Sequence, residues 1–172
     1  FLHVNFTGPH DPLIYPPGYE KKYTAAKMKL PDNFLPQHPF DHGNLTGRDE
    51  KLLPWPRTRE EVLEELAVYY AVVDHIDSQV GRMLDQLRAD GRLANTVVIF
   101  TSDHGLALGS HGLMGKQNMY DHSIRVPFVI AGPGVVPGRR VPAFGYLRDL
   151  YPTVCEMAGI AVPNTVEGRS LA

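Results

Sequence analysis

The chain has 172 residues, 43% of them hydrophobic and 21% charged, which is enough for one domain with a sizeable core. Its 17 Lys and Arg residues nearly balance 19 Asp and Glu residues, and no basic run could follow a phosphate backbone, so a nucleic-acid partner has no electrostatic support. No stretch is apolar for long enough to predict a membrane span, and the single cysteine, Cys155, excludes an internal disulfide. Cys155 is predicted to be a buried apolar residue.

The opening run "FLHVNFT" is rich in aromatic and β-branched residues and predicts a short buried strand. Turn residues follow it, so His10 is expected at the carboxyl end of that strand. Because the chain begins inside such a run and without Met, we expect it to be a fragment. Residues 13–57 are rich in Pro, Gly, Asn and Asp without a sustained period, which predicts a long, variable surface loop region.

The pattern changes at Thr58, where Glu61 three residues later predicts a capping box and the start of a helix. Gly91 supplies the stop signal, so residues 58–91 are predicted to form one long helix with its caps. Apolar residues at spacings of three and four give this helix a single stripe for the core, namely Val62, Leu66, Tyr69, Val73, Ile76, Val80, Leu84 and Leu87.

Two further apolar runs and a second helix follow. "TVVIFTS" lacks polar alternation and predicts a strand buried on both faces, which opens the strand-and-loop region 96–116. "VPFVIAGPG" predicts another buried strand, and "LRDLYPTVCEMAGI" predicts a helix with Asp149 near its start, Pro152 in its first turn and Gly159 as its stop. This alternation of helices and strands predicts an α/β fold with a mainly parallel sheet flanked by helices.

The polar loop after "TVVIFTS" carries candidate metal ligands. Asp103 and His104 offer a carboxylate and an imidazole, and both can bind one cation if the backbone turns sharply, which Gly105 permits. The alternative is a capped loop in which Asp103 accepts hydrogen bonds from backbone amides. A hard cation takes six or more ligands, so further carboxylates would have to come from outside this chain.

Three more side chains are candidates for anion binding. Lys116 follows "LALGSHGLMG", a Gly-rich segment expected to be mobile enough to fold the ammonium over the strand end. His111 could act likewise, or it could hold the loop by bonding to backbone. His10 lies between Pro9 and Pro12, which fix its backbone and make its imidazole a preorganised donor, although a structural role is the alternative. Since ligands bind beyond the carboxyl ends of strands in such sheets, His10 and Asp103 are expected to approach each other.

Ordered motifs run along most of the chain outside residues 13–51. They are "FTGPHDP", "YYAVVDHIDSQVGRMLDQL", "FTSDHG", "LGSHG", "YDHSIRVPFVIAGPG", "DLYPTVCEMAGI" and "EGRSL". Together they resemble the C-terminal half of the catalytic domain of the sulfatase family, in the alkaline-phosphatase-like superfamily. The "SDHG" to Lys116 spacing is similar to the branch that contains iduronate 2-sulfatase and bacterial polysaccharide-degrading enzymes. The resemblance implies that residues 1–172 are a single partial catalytic domain whose N-terminal portion is missing.

The resemblance also implies roles for individual residues. Asp103 and His104 match two ligands of a divalent cation, usually Ca²⁺, with Mn²⁺ or Zn²⁺ as alternatives. Lys116 matches a lysine that contacts the sulfate ester, and His10 matches a histidine that contacts the sulfate or its leaving oxygen; we expect both to be catalytic. Four other residues inside matched motifs are expected to be structural, namely Asp74, Asp77, Tyr120 and Arg125.

One family motif is missing. The nucleophile of sulfatases is a formylglycine made within a C-x-P-S-R type motif, and a pair of aspartates precedes it; neither is present here. Cys155 is followed by Glu156 and Met157, so it is not that nucleophile. We therefore expect the formylglycine in the missing N-terminal half, which is the implied partner, and we expect the isolated chain to be inactive.

The implied activity is hydrolysis of sulfate esters, on sulfated small molecules or carbohydrates. Tyr15, Tyr23, Lys21 and Lys22 in the variable loop region could contact a polyanionic sugar, although a solvated surface is the alternative. Other possible functions are a phosphonate or phosphate ester hydrolase of the same superfamily and a non-catalytic metal-binding subunit. The relatives place such proteins in the periplasm, the lysosome or outside the cell, whereas this chain carries no targeting signal of its own.

Overall fold

Helix α2, Arg59–Ala89, is the longest element of the computed structural model, which describes residues 1–172. Its start is the predicted capping box. The Thr58 hydroxyl accepts the Glu61 N–H at 3.2 Å, and the Glu61 carboxylate accepts the Thr58 N–H at 3.2 Å. At 1.5 Å per residue the helix is about 46 Å long. The sequence prediction of this helix is confirmed, including both ends to within two residues.

The N-terminal half of α2 carries the buried part of the predicted stripe. Val62 is fully buried and Leu66 is nearly so, whereas Val73 is 41% exposed and the stripe beyond it is only half-buried. The expectation of one continuous buried stripe is therefore correct only for the first half of the helix. The buried core around that half consists of Leu53, Val62, Leu66, Leu108 and Met114.

The region 13–57 contains short helical elements that the sequence pattern did not predict. They are the one-turn helix α1, Tyr19–Lys22, and 3₁₀ turns at Ala25–Lys27 and Asp49–Leu52. Helix α1 and the first 3₁₀ turn pack against α2. Lys22 Nζ lies 2.6 Å from Asp74 Oδ2, so this lysine fastens the segment to the long helix.

Two strands form the sheet: β1, Val98–Thr101, and β2, Phe128–Ala131. They pair antiparallel, with Val98 opposite Ala131 and Thr101 opposite Phe128. Both strands lie where the sequence predicted them, but the expectation of burial on both faces is wrong, since Phe100 is 44% exposed. A two-stranded sheet has no layer to cover its second face, and this pair is antiparallel rather than part of a parallel sheet.

The opening run forms no strand, contrary to the sequence prediction. Residues 1–7 have no regular secondary structure and are exposed, with Phe1 fully exposed and Leu2 at 82%. A strand needs a neighbour for its backbone N–H and C=O groups, and no other strand in the chain pairs with this run. The run is apolar as described, but an apolar run forms a strand only when a partner strand is present.

The chain divides into two compact units, residues 1–134 and 135–172. The first unit also contains the one-turn helix α3, Asp121–Ile124, and the second contains helix α4, Leu147–Met157. Pro152 lies in the second turn of α4, not in the first as predicted. Its missing N–H leaves the Arg148 carbonyl without the usual helix partner. Gly168 packs against that carbonyl so closely that a Cβ there would lie 2.0 Å from the oxygen.

The ends of α4 follow the sequence prediction. The Asp149 carboxylate accepts the N–H of Tyr146 at 2.9 Å and that of Arg169 at 3.0 Å, which holds the "EGRSL" segment to the start of the helix. Gly159, with φ +68°, follows the last turn as the predicted stop. None of the helices combines the length with the apolar composition needed to cross a lipid bilayer.

Candidate active site

Asp103 and His104 lie just after the end of β1 and form the candidate metal-ligand pair. His104 Nδ1 lies 3.0 Å from the Gly105 carbonyl oxygen, which can only accept, so Nδ1 carries the proton and Nε2 keeps its lone pair. That Nε2 lies 3.5 Å from Asp103 Oδ2. The Asp103 side chain is 78% exposed and that of His104 is 39% exposed. Two acceptor atoms thus sit side by side and open to solvent, as joint ligation of one cation requires.

The capping alternative for Asp103 is also present. Its Oδ1 accepts the His104 N–H at 3.0 Å and lies 3.4 Å from the Ser102 hydroxyl. Because these bonds involve only Oδ1, the second carboxylate oxygen remains available to a ligand. The cap therefore orients the carboxylate toward His104 Nε2 instead of competing with metal binding.

Gly105 is required at its position for a reason that differs from the predicted one. Its φ lies outside the left-handed region, so it does not serve a sharp turn. Its N–H donates to the Ser123 carbonyl at 2.8 Å, and a Cβ would lie 1.9 Å from the His122 carbonyl oxygen. The glycine allows two backbone segments to approach more closely than any side chain would permit.

The donor set of the pair fits half of a divalent-cation site. Carboxylate oxygen and imidazole nitrogen are both ligands of such ions. No three His, Cys, Asp or Glu side chains in residues 1–172 are arranged so that they could hold a metal ion together. Asp103 and His104 would therefore need ligands from another part of the polypeptide, as the sequence predicted.

The loop between His104 and Lys116 is ordered and buried, not mobile as expected. The Ala107 N–H donates to the Gly115 carbonyl at 3.0 Å, and the Gly109 N–H donates to the Leu113 carbonyl at 2.8 Å. Leu113 is fully buried. The glycines led to the prediction of a mobile loop, but the apolar residues between them pack into the core.

Glu50 and Arg57 bind the backbone of this loop, and the sequence did not predict either contact. The buried Glu50 carboxylate accepts the N–H of Met114 at 2.9 Å and of Gly115 at 2.8 Å, and Arg57 Nη2 lies 2.6 Å from it. Arg57 Nη1 also donates to the Gly112 carbonyl at 3.1 Å. We call Glu50 and Arg57 the loop clamp. It fixes the backbone immediately before Lys116.

Lys116 projects from the clamped loop toward a buried carboxylate. Its Nζ lies 3.3 Å from Asp49 Oδ2, and its side chain is 14% exposed. Gln117 Nε2 donates to the same oxygen at 2.7 Å. Burial would raise the pKa of the Asp49 carboxyl, but the hydrogen bond from Gln117 and the charges of Lys116 and Arg48 outweigh it, so the pKa lies below its ordinary value. Asp49 is therefore an anion that holds the ammonium.

His10 lies at the other end of a row of charges that leads to Lys116. Its Nδ1 lies 2.9 Å from the Asp11 carbonyl oxygen and 3.3 Å from Asp11 Oδ1, and its side chain is 43% exposed. Arg48 donates to the Asp11 carboxylate, and it also donates to Asp49 Oδ1 at 2.6 Å. The structure thus connects His10 and Lys116 through one network of polar contacts and ion pairs.

His111 is held by its neighbours. Its N–H donates to the Asn33 carbonyl at 2.9 Å, and its Nε2 lies 2.9 Å from Asn33 Nδ2. Its ring stacks on Tyr120 with centroids 4.1 Å apart, and its φ is +56°. These contacts fit the alternative in which His111 holds the loop.

A buried aromatic and histidine cluster surrounds Tyr120. The Tyr120 hydroxyl lies 3.1 Å from Nε2 of the buried His38, which agrees with the structural role expected for this tyrosine. His122 lies beside it, and its Nε2 is buried with no hydrogen-bond partner. Burial and the neighbouring His111 lower the pKa of His122 to about 4.

The charged residues that the sequence reasoning missed come from the loop region 13–57 or its borders. They are Asp11, Arg48, Asp49, Glu50 and Arg57. The run "GRDEK" carries three of them, but it has no period and no motif spacing, so a solvated loop was the natural interpretation. Only their burial next to the Lys116 loop identifies them.

Comparison with known proteins identifies the family of the chain. The sulfatase family model matches residues 1–160. An arylsulfatase of Clostridium perfringens is 35% identical over 99% of the chain, which corresponds to 36% of that relative. The chain thus spans about a third of the length of the curated relatives it matches.

Solved structures extend the comparison to the fold. The phosphonate monoester hydrolase of Silicibacter pomeroyi matches with a TM-score of 0.79 and 32% identity, covering 95% of this chain and 34% of that one. A protein solved with its substrate D-glucosamine-2-N,6-O-disulfate matches with a TM-score of 0.57 and 32% identity, covering 66% of this chain and 23% of that one.

These neighbours place the fold of the chain in the alkaline-phosphatase-like superfamily. Within that superfamily, the chain belongs to the sulfatase family.

Proposed function

We propose that the protein containing this chain hydrolyses sulfate esters, with sulfated carbohydrates as the substrate class. The observation that carries the proposal is the pair of acceptors Asp103 Oδ2 and His104 Nε2, 3.5 Å apart, in a chain that matches the sulfatase family over residues 1–160. The relative solved with a disulfated glucosamine supports a carbohydrate substrate. The compartments proposed from the resemblance are the periplasm, the lysosome or the cell exterior.

The chain's own residues would bind the ester and move a proton. Asp103 and His104 would hold a divalent cation, for which we propose Ca²⁺. When bound, that cation would offset negative charge on the ester oxygens, and a formylglycine from the rest of the polypeptide would supply the nucleophile. Lys116 would place its ammonium against the sulfate oxygens as a fixed positive charge.

His10 would act as the general acid. Its Nδ1 faces the carbonyl and carboxylate oxygens of Asp11, and Asp11 would stabilise the imidazolium. The proton on Nε2 would pass to the bridging oxygen as the S–O bond breaks, so the alcohol leaves neutral. The exposed position of His10 gives the leaving group access to it.

The rest of the polypeptide would complete the domain. We propose that it supplies the remaining metal ligands, the formylglycine and the other strands of a mainly parallel sheet. The exposed apolar run at residues 1–7 and the open face of β1 and β2 would lie against it. The isolated chain would then be inactive.

Phosphonate or phosphate ester hydrolysis is the second candidate function. The structural similarity to a phosphonate monoester hydrolase, with a TM-score of 0.79, favours it specifically. Both ester types present a tetrahedral anion to the same cation and lysine, so residues of this chain do not separate them.

The test uses the full-length polypeptide and compares hydrolysis of an aryl sulfate with that of an aryl phosphonate monoester. We expect the sulfate to be preferred and Asp103→Ala to lower its kcat/KM at least about a hundredfold, with bound Ca²⁺ lost in metal analysis. Asp77→Ala, on the exposed side of α2, is the matched control and should keep both. Activity of Asp103→Ala within threefold of wild type would reject the ligand role, and a preference for the phosphonate would support the second candidate.

A further inference from the structure

Arg48 has an unusual position between the two groups to which the proposed mechanism gives separate tasks. Its two terminal nitrogens donate to different carboxylates, one to Asp11 and the other to Asp49. Asp11 contacts His10, and Asp49 contacts Lys116. From Asp11 to Lys116, charges of opposite sign therefore alternate, and His10 lies beside the first of them.

The chemistry of arginine suits this bridge. A planar guanidinium holds its donors in a fixed fork, so two carboxylates bound to it are fixed relative to each other. A lysine ammonium at the same position would be a single point charge on a flexible stem. Asp49 is 3% exposed in its side chain, and this burial strengthens its contacts with Arg48 and Lys116.

The bridge connects parts of the molecule that have no other direct contact between their charged groups. His10 belongs to the segment after the opening run 1–7, whereas Lys116 belongs to the loop held by the clamp. Arg48 itself is 61% exposed in its side chain, so it is not needed to fill the core. Because Arg48 does not fill the core, its two carboxylate contacts are the structural role that remains for it.

We infer that Arg48 is a positioning residue, which fixes His10 and Lys116 relative to each other by bridging Asp11 and Asp49. This inference rests on the proposed function for the nature of the ester, but the bridge itself can be measured without turnover. Without the bridge, Asp11 with His10 can move relative to Asp49 with Lys116, and small errors in the placement of reacting groups slow an enzyme strongly.

The experiment measures amide hydrogen exchange and steady-state kinetics in the full-length polypeptide. The amide reporters are the His10 N–H, bonded to the Thr7 carbonyl at 3.1 Å, and the Asn118 N–H, bonded to the Lys116 carbonyl at 2.8 Å. Arg48→Met removes the bridge, and Arg48→Lys keeps the charge without the fork. Arg88→Met is the matched control, because Arg88 is 64% exposed and is paired with Asp85 on α2.

We expect Arg48→Met to raise exchange at both reporters at least about threefold and to lower kcat/KM for an aryl sulfate about tenfold. Arg48→Lys should restore less than half of either loss, and Arg88→Met should change neither. Unchanged exchange in Arg48→Met would overturn the bridge, and changed exchange with kcat/KM within twofold would overturn its positioning role. If the wild-type polypeptide hydrolyses no sulfate ester, the proposed function fails, whereas the exchange result still decides the bridge.

Discussion

At the scale of single residues, the loop clamp is an ion pair that is buried on both sides. Glu50 and Arg57 are both almost fully buried, whereas pairs such as Lys29 with Asp32 lie in open solvent. Exposed pairs contribute little because water screens them. A buried pair is different, since removing one partner leaves an uncompensated charge in the interior.

Glu50→Gln should therefore destabilise the chain strongly. It leaves Arg57 without its counter-ion, and we expect the free energy of unfolding to fall by about 3 kcal/mol in denaturant titrations. Glu64→Gln, at an exposed position on α2, should change it by less than about 0.5 kcal/mol. A loss below about 1 kcal/mol for Glu50→Gln would contradict the clamp.

His122 should make stability depend on pH. Its folded pKa of about 4 lies below the unfolded value of about 6.5, so the unfolded state takes up the proton first as the pH falls. The stabilisation from the neutral ring is fully present above about pH 6.5 and is lost between about pH 6.5 and 4.

The measurement compares the free energy of unfolding at several pH values for wild type and His122→Asn. Between pH 7 and 4.5 we expect wild type to lose about 2 kcal/mol more than the variant, a value reduced because the ring is only partly buried. His3→Asn, at an exposed position, is the control and should keep the wild-type slope. Parallel curves for wild type and His122→Asn would show that His122 is not buried in neutral form.

Residue types in motifs were readable from the sequence, but their partners were not. Asp103, His104 and Lys116 could be selected because strand ends and motif spacing mark them. Asp49 and Glu50 could not, because a carboxylate in an aperiodic loop has the same local pattern whether it is solvated or buried. Burial is decided by distant parts of the chain, in this case the loop before Lys116.

At the scale of elements, α2 was the most predictable part because its signals are local. A capping box, an apolar stripe and a terminal glycine all lie within the helix or next to it. The opening run 1–7 and strands β1 and β2 were less predictable. Pairing and direction of strands depend on residues far away in sequence, and an apolar run alone does not specify them.

Thr58→Ala tests the element that the sequence predicted best. It removes the hydroxyl that accepts the Glu61 N–H, and we expect the free energy of unfolding to fall by about 1 kcal/mol. Thr58→Ser keeps the acceptor and should remain within about 0.5 kcal/mol of wild type. The free energy of unfolding is measured by thermal or denaturant unfolding. Equal losses in both variants would show that the methyl group of Thr58, and not the cap, stabilises the helix.

At the scale of the whole molecule, the chain exposes large apolar side chains and spans only part of the length of its relatives. Phe1 and Leu2 are exposed, and so are Phe128 and Val129 of β2. The chain covers 36% of the arylsulfatase relative, so that relative extends well beyond the matched part. The sequence pattern predicted buried strands at these places, but a strand face is buried only where a second layer packs on it.

The loop clamp also limits how the chain could be engineered by segment exchange. The short helical elements within residues 19–27 pack on α2, whereas residues 33–57 provide contacts to the Lys116 loop, including those of Asn33, Glu50 and Arg57. The variable loop region is therefore two cassettes with different tolerance. A chimera could take the first cassette from a relative if contacts to α2 such as Lys22 with Asp74 are kept, but it would have to inherit the second together with the loop that it holds.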